Sequence, residues 1–452
     1  MKKFLTLNLM LLVAISNTAE ELRLQLDKDL DGVMTKVTNW RHYFHQYPEL
    51  SNREFKTQKS IADALIEMGL EPDLSFGKTG VVAFIRGQKP GPLIALRADI
   101  DGLPVTEKLN LPFSSKEKTM YQGNEVGVMH ACGHDAHIAV LLGVASFLSQ
   151  NTDKLSGDIF LIFQPAEEGA PEGEEGGAEL MLKEGLFEAE KPDAIFGLHV
   201  SNGLHGGIML KPGPAMASAE AFRITIEGEQ THGSRPWSGI DPIVTASDIV
   251  STLQTIVSRR LNLLESQAVV TVGIMKAGTR NNIIPSSAML EGTIRTFEDS
   301  YTDQIRAEIK LISENVAEAH GAKANVEFKV YGGYPVTFND LELSEKYASS
   351  LSEAADGKYY EARVPRTGAE DFSFYAQQVP GLFFFLGVNA PGIEDSPTNH
   401  SPYFYVDDNA LSSGVKAFIN LVEDYSSDFN SCLLYTSPSP RDRTRSRMPS
   451  SA

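Results

Sequence analysis

Cysteine is nearly absent. The 452 residues hold two, Cys132 and Cys432, which excludes a disulfide framework as the source of stability. Positive charge is scarce as well: 40 Lys and Arg stand against 59 Asp and Glu, a formal net charge of −19. A nucleic-acid partner needs a basic surface to meet its phosphates, and this balance excludes one. Beyond the N-terminus no apolar run reaches the length of a membrane span, so no stable membrane anchor is expected. Internal repeats and long linkers are missing too. What is present is globular usage, 42% apolar and 22% charged, at a length that suggests two to three domains.

Both ends read as additions to the fold. Residues 1–19, MKKFLTLNLMLLVAISNTA, join the basic pair Lys2-Lys3 to a short apolar run from Phe4 to Ile15 and then small residues. That is the pattern of a secretory signal peptide, and it predicts a periplasmic or secreted protein. An uncleaved anchor or a buried first helix ranks lower, because a dozen apolar residues is short for a span. From Cys432 the chain reads CLLYTSPSPRDRTRSRMPSSA, without apolar period and rich in Ser, Pro and Arg. A disordered basic tail is one reading. The sharper one is that CLLYTSPSPRD and SRMPSSA translate the two ends of a transposon adapter used in sequencing-library preparation. Residues 432–452 are therefore expected to be artefactual, and Cys432 with them. Without the two lysines of the leader, and the four arginines and one aspartate of the tail, −19 becomes −24.

Between Glu20 and about Pro214 apolar strands alternate with helical segments. VVAFIRG, PLIALRADID, DIFLIFQ and AIFGLHV read as strands, while TQKSIADALIEMGL and HIAVLLGVASFLSQ read as helices. Near-continuous apolar strands between helices predict an α/β sheet covered by helices on both faces. Near Ala217 the pattern changes. SAEAFRITIEGEQ alternates with period two, and the segments after it predict βαββαβ, a small α+β sheet with two helices on one face. After about Pro335 the first pattern returns with FFFLGV and a closing helix. The expected organisation is an α/β domain over 20–214 and 335–431, interrupted by a smaller α+β domain over 215–334.

The chemistry-bearing residues sit after buried-type strands. PLIALRADID ends in Asp99 and Asp101, DIFLIFQPAEEG ends in Glu167 and Glu168, AIFGLHV carries His199, and the loop after FFFLGV carries His400. Ligands of open α/β sheets gather at the carboxyl ends of strands, so these four segments are expected to converge. A fifth, GVMHACGHDAHIAV, packs His130, Cys132, His134, Asp135 and His137 into eight residues before an apolar helix. Cys132 and His134, two apart at a helix entry, can address one ion. Thiolate, imidazole and carboxylate suit zinc or a neighbouring transition metal rather than Mg²⁺ or Ca²⁺. A lone histidine here would read as a buried helix cap; three with the one cysteine of the fold do not. The Glu167-Glu168 pair offers a ligand carboxylate beside a separate general base, provided a turn lets both face one site.

The chain resembles the di-metal aminoacylase/carboxypeptidase family of metallopeptidases. Within it, the likeness is to hippurate hydrolases and indole-acetyl-amino-acid amidohydrolases. RHYFHQYPELSNRE, ALRADIDGLPVTE, GVMHACGHDAHIAVLLG, FQPAEEG, FGLHV, THGSRP, NNIIP, GTIRTF, GAEDFSFY and NHSPYF carry the resemblance in family order from residue 41 to 404. It implies Cys132, His134, Glu168, His199 and His400 as ligands of two divalent transition-metal ions, zinc, manganese or cobalt, and Glu167 as general base. It implies that the insertion serves as lid and homodimer interface, and that His232 reaches the partner subunit's site to support the oxyanion. Asn282 and Arg295 match positions near the substrate's carboxylate. Asp99, Asp101 and Asp135 match positions behind the ligands, with Asp99 where other branches place a histidine ligand. Arg235 in THGSRP departs from many relatives.

The implied reaction is hydrolysis of an N-acyl or N-aroyl amino acid to a carboxylic acid and an amino acid. A dipeptidase or carboxypeptidase on the same site is the nearest rival. From a different class, a periplasmic solute-binding protein shares the leader, two α/β lobes and length, but has no need of a Cys/His cluster beside paired glutamates.

Overall fold

The computed structural model describes residues 20–436, so the leader and the end of the tail lie outside the described residues. A seven-stranded sheet forms the larger unit. Its spatial order is Val81–Arg86, Ser156–Gln164, Lys89–Asp99, Ala194–Ser201, Gly381–Gly387, Ile208–Leu210 and Tyr359–Glu361. The four strands Ser156–Gln164, Lys89–Asp99, Ala194–Ser201 and Gly381–Gly387 are mutually parallel. Every residue of Ala194–Ser201 and of Gly381–Gly387 is buried. That matches their unbroken apolar sequences, since a parallel strand is covered on both faces. The short Ile208–Leu210 and Tyr359–Glu361 strands extend the sheet beyond what the sequence pattern foretells.

One face of this sheet carries the helices Glu21–Gln46, His134–Ser149 and Leu411–Thr436. The His134–Ser149 helix is buried from His134 to Leu148, as an all-round apolar helix must be. Its entry turns on Gly133, whose φ is +90° and whose Cβ, if present, would lie 2.3 Å from Val200 Cγ2. Only glycine fits there, and the tight turn delivers Cys132 and His134 to the end of the neighbouring strand. The Leu411–Thr436 helix runs a few residues past Ser431, into the segment read as translated adapter.

The smaller unit is a four-stranded antiparallel sheet in the order Ala268–Ala277, Ser287–Thr296, Ala219–Glu227 and Lys323–Tyr334. Ala219–Glu227 alternates buried and half-buried residues, as its period-two sequence predicts. Phe222, Ile224 and Ile226 pack with Ile249 and Leu253 of helix Pro242–Thr255 and Ile305, Ile309 and Ile312 of helix Asp299–Ala319. This core is separate from that of the larger sheet. The chain crosses between the two sheets twice, with Ala219 paired to Tyr334 and Met216 paired to Thr337 where it does so. No described helix is long and apolar enough to cross a membrane.

Candidate metal centre

Parallel pairing puts the carboxyl ends of the four central strands on one side, and there the separated segments meet. Cys132 Sγ lies 3.4 Å from His199 Nε2 and 3.2 Å from His400 Nε2. His400 Nε2 lies 3.1 Å from Glu168 Oε1, and His134 Nε2 lies 4.0 Å from both Glu167 and Glu168. The ligand atoms of Cys132, His134 and His199 all fall within 4.8 Å of one another, as do those of Cys132, Glu168 and His400. The two triads share one sulfur.

The hydrogen bonds fix which ring nitrogen is available. His199 Nδ1 donates to Val200 O at 2.7 Å, which leaves the Nε2 lone pair facing Cys132. His134 Nδ1 lies 3.1 Å from Asp101 Oδ1, while its buried Nε2 has no hydrogen-bond partner. A carboxylate behind a histidine whose far nitrogen is bare is the arrangement of a metal-ligating imidazole. His137 is different: Nδ1 lies 2.5 Å from Asp99 and Nε2 accepts from Val200 N at 2.8 Å, so neither nitrogen is free. Burial, then Glu168, Glu167 and Asp99, push the Cys132 thiol well above its ordinary range. A sulfur, imidazoles and a carboxylate converging in this way fit a divalent transition metal.

The QPAEEG segment turns as the paired glutamates require. Ala166 adopts φ +54°, and its N–H donates to Glu54 Oε1 at 3.0 Å. The turn breaks the strand alternation that would send Glu167 and Glu168 to opposite faces. Glu167 is buried, and burial, followed by Glu370, Glu168, Asp371 and Asp99, raises its carboxyl well above the usual range. Behind it lies a buried ion network that sequence reasoning did not assign. Arg97 reaches Asp99 at 2.7 Å, Glu370 at 2.9 Å and Asp371 at 2.8 Å, and donates to Gln164 at 2.9 Å. An arginine inside an otherwise apolar strand was the available signal.

Residues 95–424 match the model of Peptidase family M20/M25/M40. The chain belongs to this family. It is 40% identical to an N-acetyl-L-cysteine deacetylase of Bacillus subtilis (strain 168) over 85% of each chain. It is 37% identical to thermostable carboxypeptidase 1 of Saccharolobus solfataricus over 89% of this chain and 98% of the other. A crystal structure of a dinuclear metal-binding M20 peptidase from Bacillus subtilis superposes with a TM-score of 0.70 at 36% identity, covering 87% of this chain and 98% of that one. As an M20 hydrolase the chain acts on peptide or other non-ring C–N bonds, and the solute-binding reading loses its support.

The remaining residues singled out in the M20 sequence sit apart from the ligand cluster. Asp135 pairs with His45 Nδ1 at 2.9 Å and Arg41 Nε at 3.3 Å rather than with a ligand. Burial lowers the His45 pKa, but Asp135 and Glu107 outweigh it and raise it to about 9. His130 is buried with both ring nitrogens unpartnered. His232 is exposed on a short two-stranded antiparallel ribbon, Thr231–His232 paired with Ile283–Ile284, and its Nδ1 accepts from Ser234 N at 3.0 Å. Asn282 lies on the opposite strand segment of that ribbon, its carbonyl accepting from Gly233 N at 2.8 Å, and Arg235 is exposed near Gly233. Arg295 is half-buried and donates to Thr293 Oγ1 at 2.9 Å; among the described residues no carboxylate pairs with it. A second desolvated guanidinium, Arg366, lies 3.9 Å from the centre of the Phe385 ring and was not foreseen.

Proposed function

We propose that this M20 hydrolase cleaves N-acyl amino acids to a carboxylic acid and an amino acid. Cys132, His134, Glu168, His199 and His400 hold two divalent transition-metal ions, and Glu167 is the general base. The observation that carries the reading is the shared Cys132 sulfur between two ligand triads, with the raised Glu167 carboxyl beside them. The likeness to an N-acetyl-L-cysteine deacetylase supports the acyl amino acid as substrate. Zinc, manganese and cobalt all suit the donor set.

Bound divalent ions supply the Lewis acidity that makes water a nucleophile near neutral pH. The protein does the rest. Asp101 holds the His134 ring with Nε2 toward the centre, and the Val200 carbonyl does the same for His199. Glu167, crowded by carboxylates, has the proton affinity to take a proton from water and pass it to the leaving amine. Arg295, desolvated and without a carboxylate partner among the described residues, offers a fork to the substrate's carboxylate, and Asn282, which lies next to Gly233 at the other end of the small unit, contacts substrate from the side of His232. His232 supports the oxyanion in the site of a partner subunit, which requires a homodimer through the four-stranded unit. The reaction takes place in the periplasm or outside the cell, following the leader at residues 1–19.

A carboxypeptidase is the second reading, favoured by the Saccharolobus relative. Hydrolysis of hippurate, N-acetyl amino acids and dipeptides, each with zinc, manganese and cobalt, separates the two. The N-acyl substrates should exceed the dipeptides in kcat/KM by about tenfold or more. The reverse order assigns the chain to peptides.

A further inference from the structure

One peptide group joins the two glutamates of the centre, and it is held at both ends. Its carbonyl, that of Glu167, accepts a hydrogen bond from Tyr334 Oη at 2.6 Å. Its N–H, that of Glu168, donates to Asp101 Oδ2 at 3.0 Å. Asp101 is itself anchored by Ser51 Oγ at 2.7 Å and holds His134 through its other oxygen. The relative directions of the two carboxylates depend on ψ of Glu167 and φ of Glu168, the two dihedrals that flank this plane, and the two hydrogen bonds restrain both.

The two holding groups come from different units. Asp101 follows the Lys89–Asp99 strand of the large sheet. Tyr334 is the last residue of the Lys323–Tyr334 strand of the small sheet, at the place where the chain crosses between them. Its ring packs edge-on against Phe374, with centroids 6.2 Å apart. Tyr334 is half-buried with its hydroxyl turned inward; an enclosed hydroxyl without a partner would be costly, and the Glu167 carbonyl is the partner it finds.

We infer that Tyr334 is a positioning residue: from the small unit's side, its hydroxyl fixes the Glu167–Glu168 peptide plane so that one carboxylate faces the metal position and its neighbour the reacting water. The inference rests on the roles proposed above for those two glutamates. It also makes the seating of the four-stranded unit on the large sheet a condition for a correctly formed centre. A displacement of the strand end withdraws the hydroxyl from the turn.

The test is Tyr334→Phe in the full-length enzyme, which removes one oxygen and keeps the ring. Turnover of an N-acetyl amino acid and zinc affinity, the latter by competition with a chromogenic chelator, are read together. Loss of a hydrogen bond behind a metal centre lowers affinity or activity by about 10–100-fold, so kcat should fall about tenfold or more. Zinc affinity should weaken alongside, with KM little changed. Phe374→Leu loosens the ring while keeping the hydroxyl, and should stay near wild type in both readouts. Wild-type kcat and zinc affinity in Tyr334→Phe overturn the inference, as does an equal loss in Phe374→Leu. Glu167→Gln keeps the two questions apart: full activity there removes the underlying reading, whereas activity lost there and retained in Tyr334→Phe overturns this inference alone.

Discussion

Glu167→Gln is expected to lower kcat by about 10²–10⁴-fold while metal content stays at the wild-type level. The amide is isosteric with the carboxyl but cannot take a proton, so the change isolates proton transfer. Metal retention is expected although Glu167 also groups with His134 and Glu168, because the two Cys132-centred triads stand without it. Glu168 Oε1, not Glu167, approaches His400 Nε2 at 3.1 Å, and the Cys132-centred triads do not include Glu167. The surroundings raise the proton affinity of Glu167, burial first and then Glu370, Glu168, Asp371 and Asp99, and Arg97 keeps Glu370, Asp371 and Asp99 fixed. Steady-state kinetics with metal analysis of the same sample decides the matter. Metal lost together with activity makes Glu167 a ligand; activity kept removes it as the base.

The second large effect concerns His232. His232→Ala is expected to lower kcat by about 10²–10³-fold, the usual effect of losing an oxyanion donor. Yet His232 is exposed on the small unit, and its side-chain hydrogen bonds go to Ser234 in the turn that follows it. If it serves a partner's centre, subunits carrying His232→Ala and Glu167→Gln complement each other. Each mixed dimer assembles one intact site, so equal mixing with exchange returns roughly a quarter of wild-type activity. Mixtures as inactive as the separate variants rule out a role in trans.

Much of the centre was legible because its residues obey a local rule. Metal-type side chains after buried strands belong at the carboxyl end of a parallel sheet, and Asp101, Glu168, His199 and His400 follow it. The compressed His130–His137 octet, set just before an apolar helix, announced a helix entry. The four-stranded unit was legible from the change of period near Ala217, which the alternation of Ala219–Glu227 bears out. What the sequence hid was pairing over long separations. Arg97 meets Glu370 and Asp371 across 273 and 274 positions, and Tyr334 meets Glu167 across 167. No periodicity encodes such contacts. Asp135 shows the reverse: its place in the octet suggested the centre, but the helix turns it toward Arg41 and His45. His137 lies in the same octet and is fully engaged by Asp99 and Val200.

The acidity of the chain sharpens the role of the ions. A net charge of −19 repels a carboxylate-bearing substrate, and Glu167, Glu168, Asp99 and Asp101 concentrate part of that acidity at the centre. In the proposed reading, divalent cations held by the ligand cluster, with the desolvated Arg295, would give the local positive potential that the composition withholds. The most direct measurement is therefore the metal content of the purified wild-type protein by elemental mass spectrometry, before and after dialysis against a chelator, with turnover followed on the same samples. The account predicts two divalent ions per chain, loss of turnover as they leave, and its return when zinc, manganese or cobalt is restored. Full turnover by protein that carries no divalent ion would contradict it.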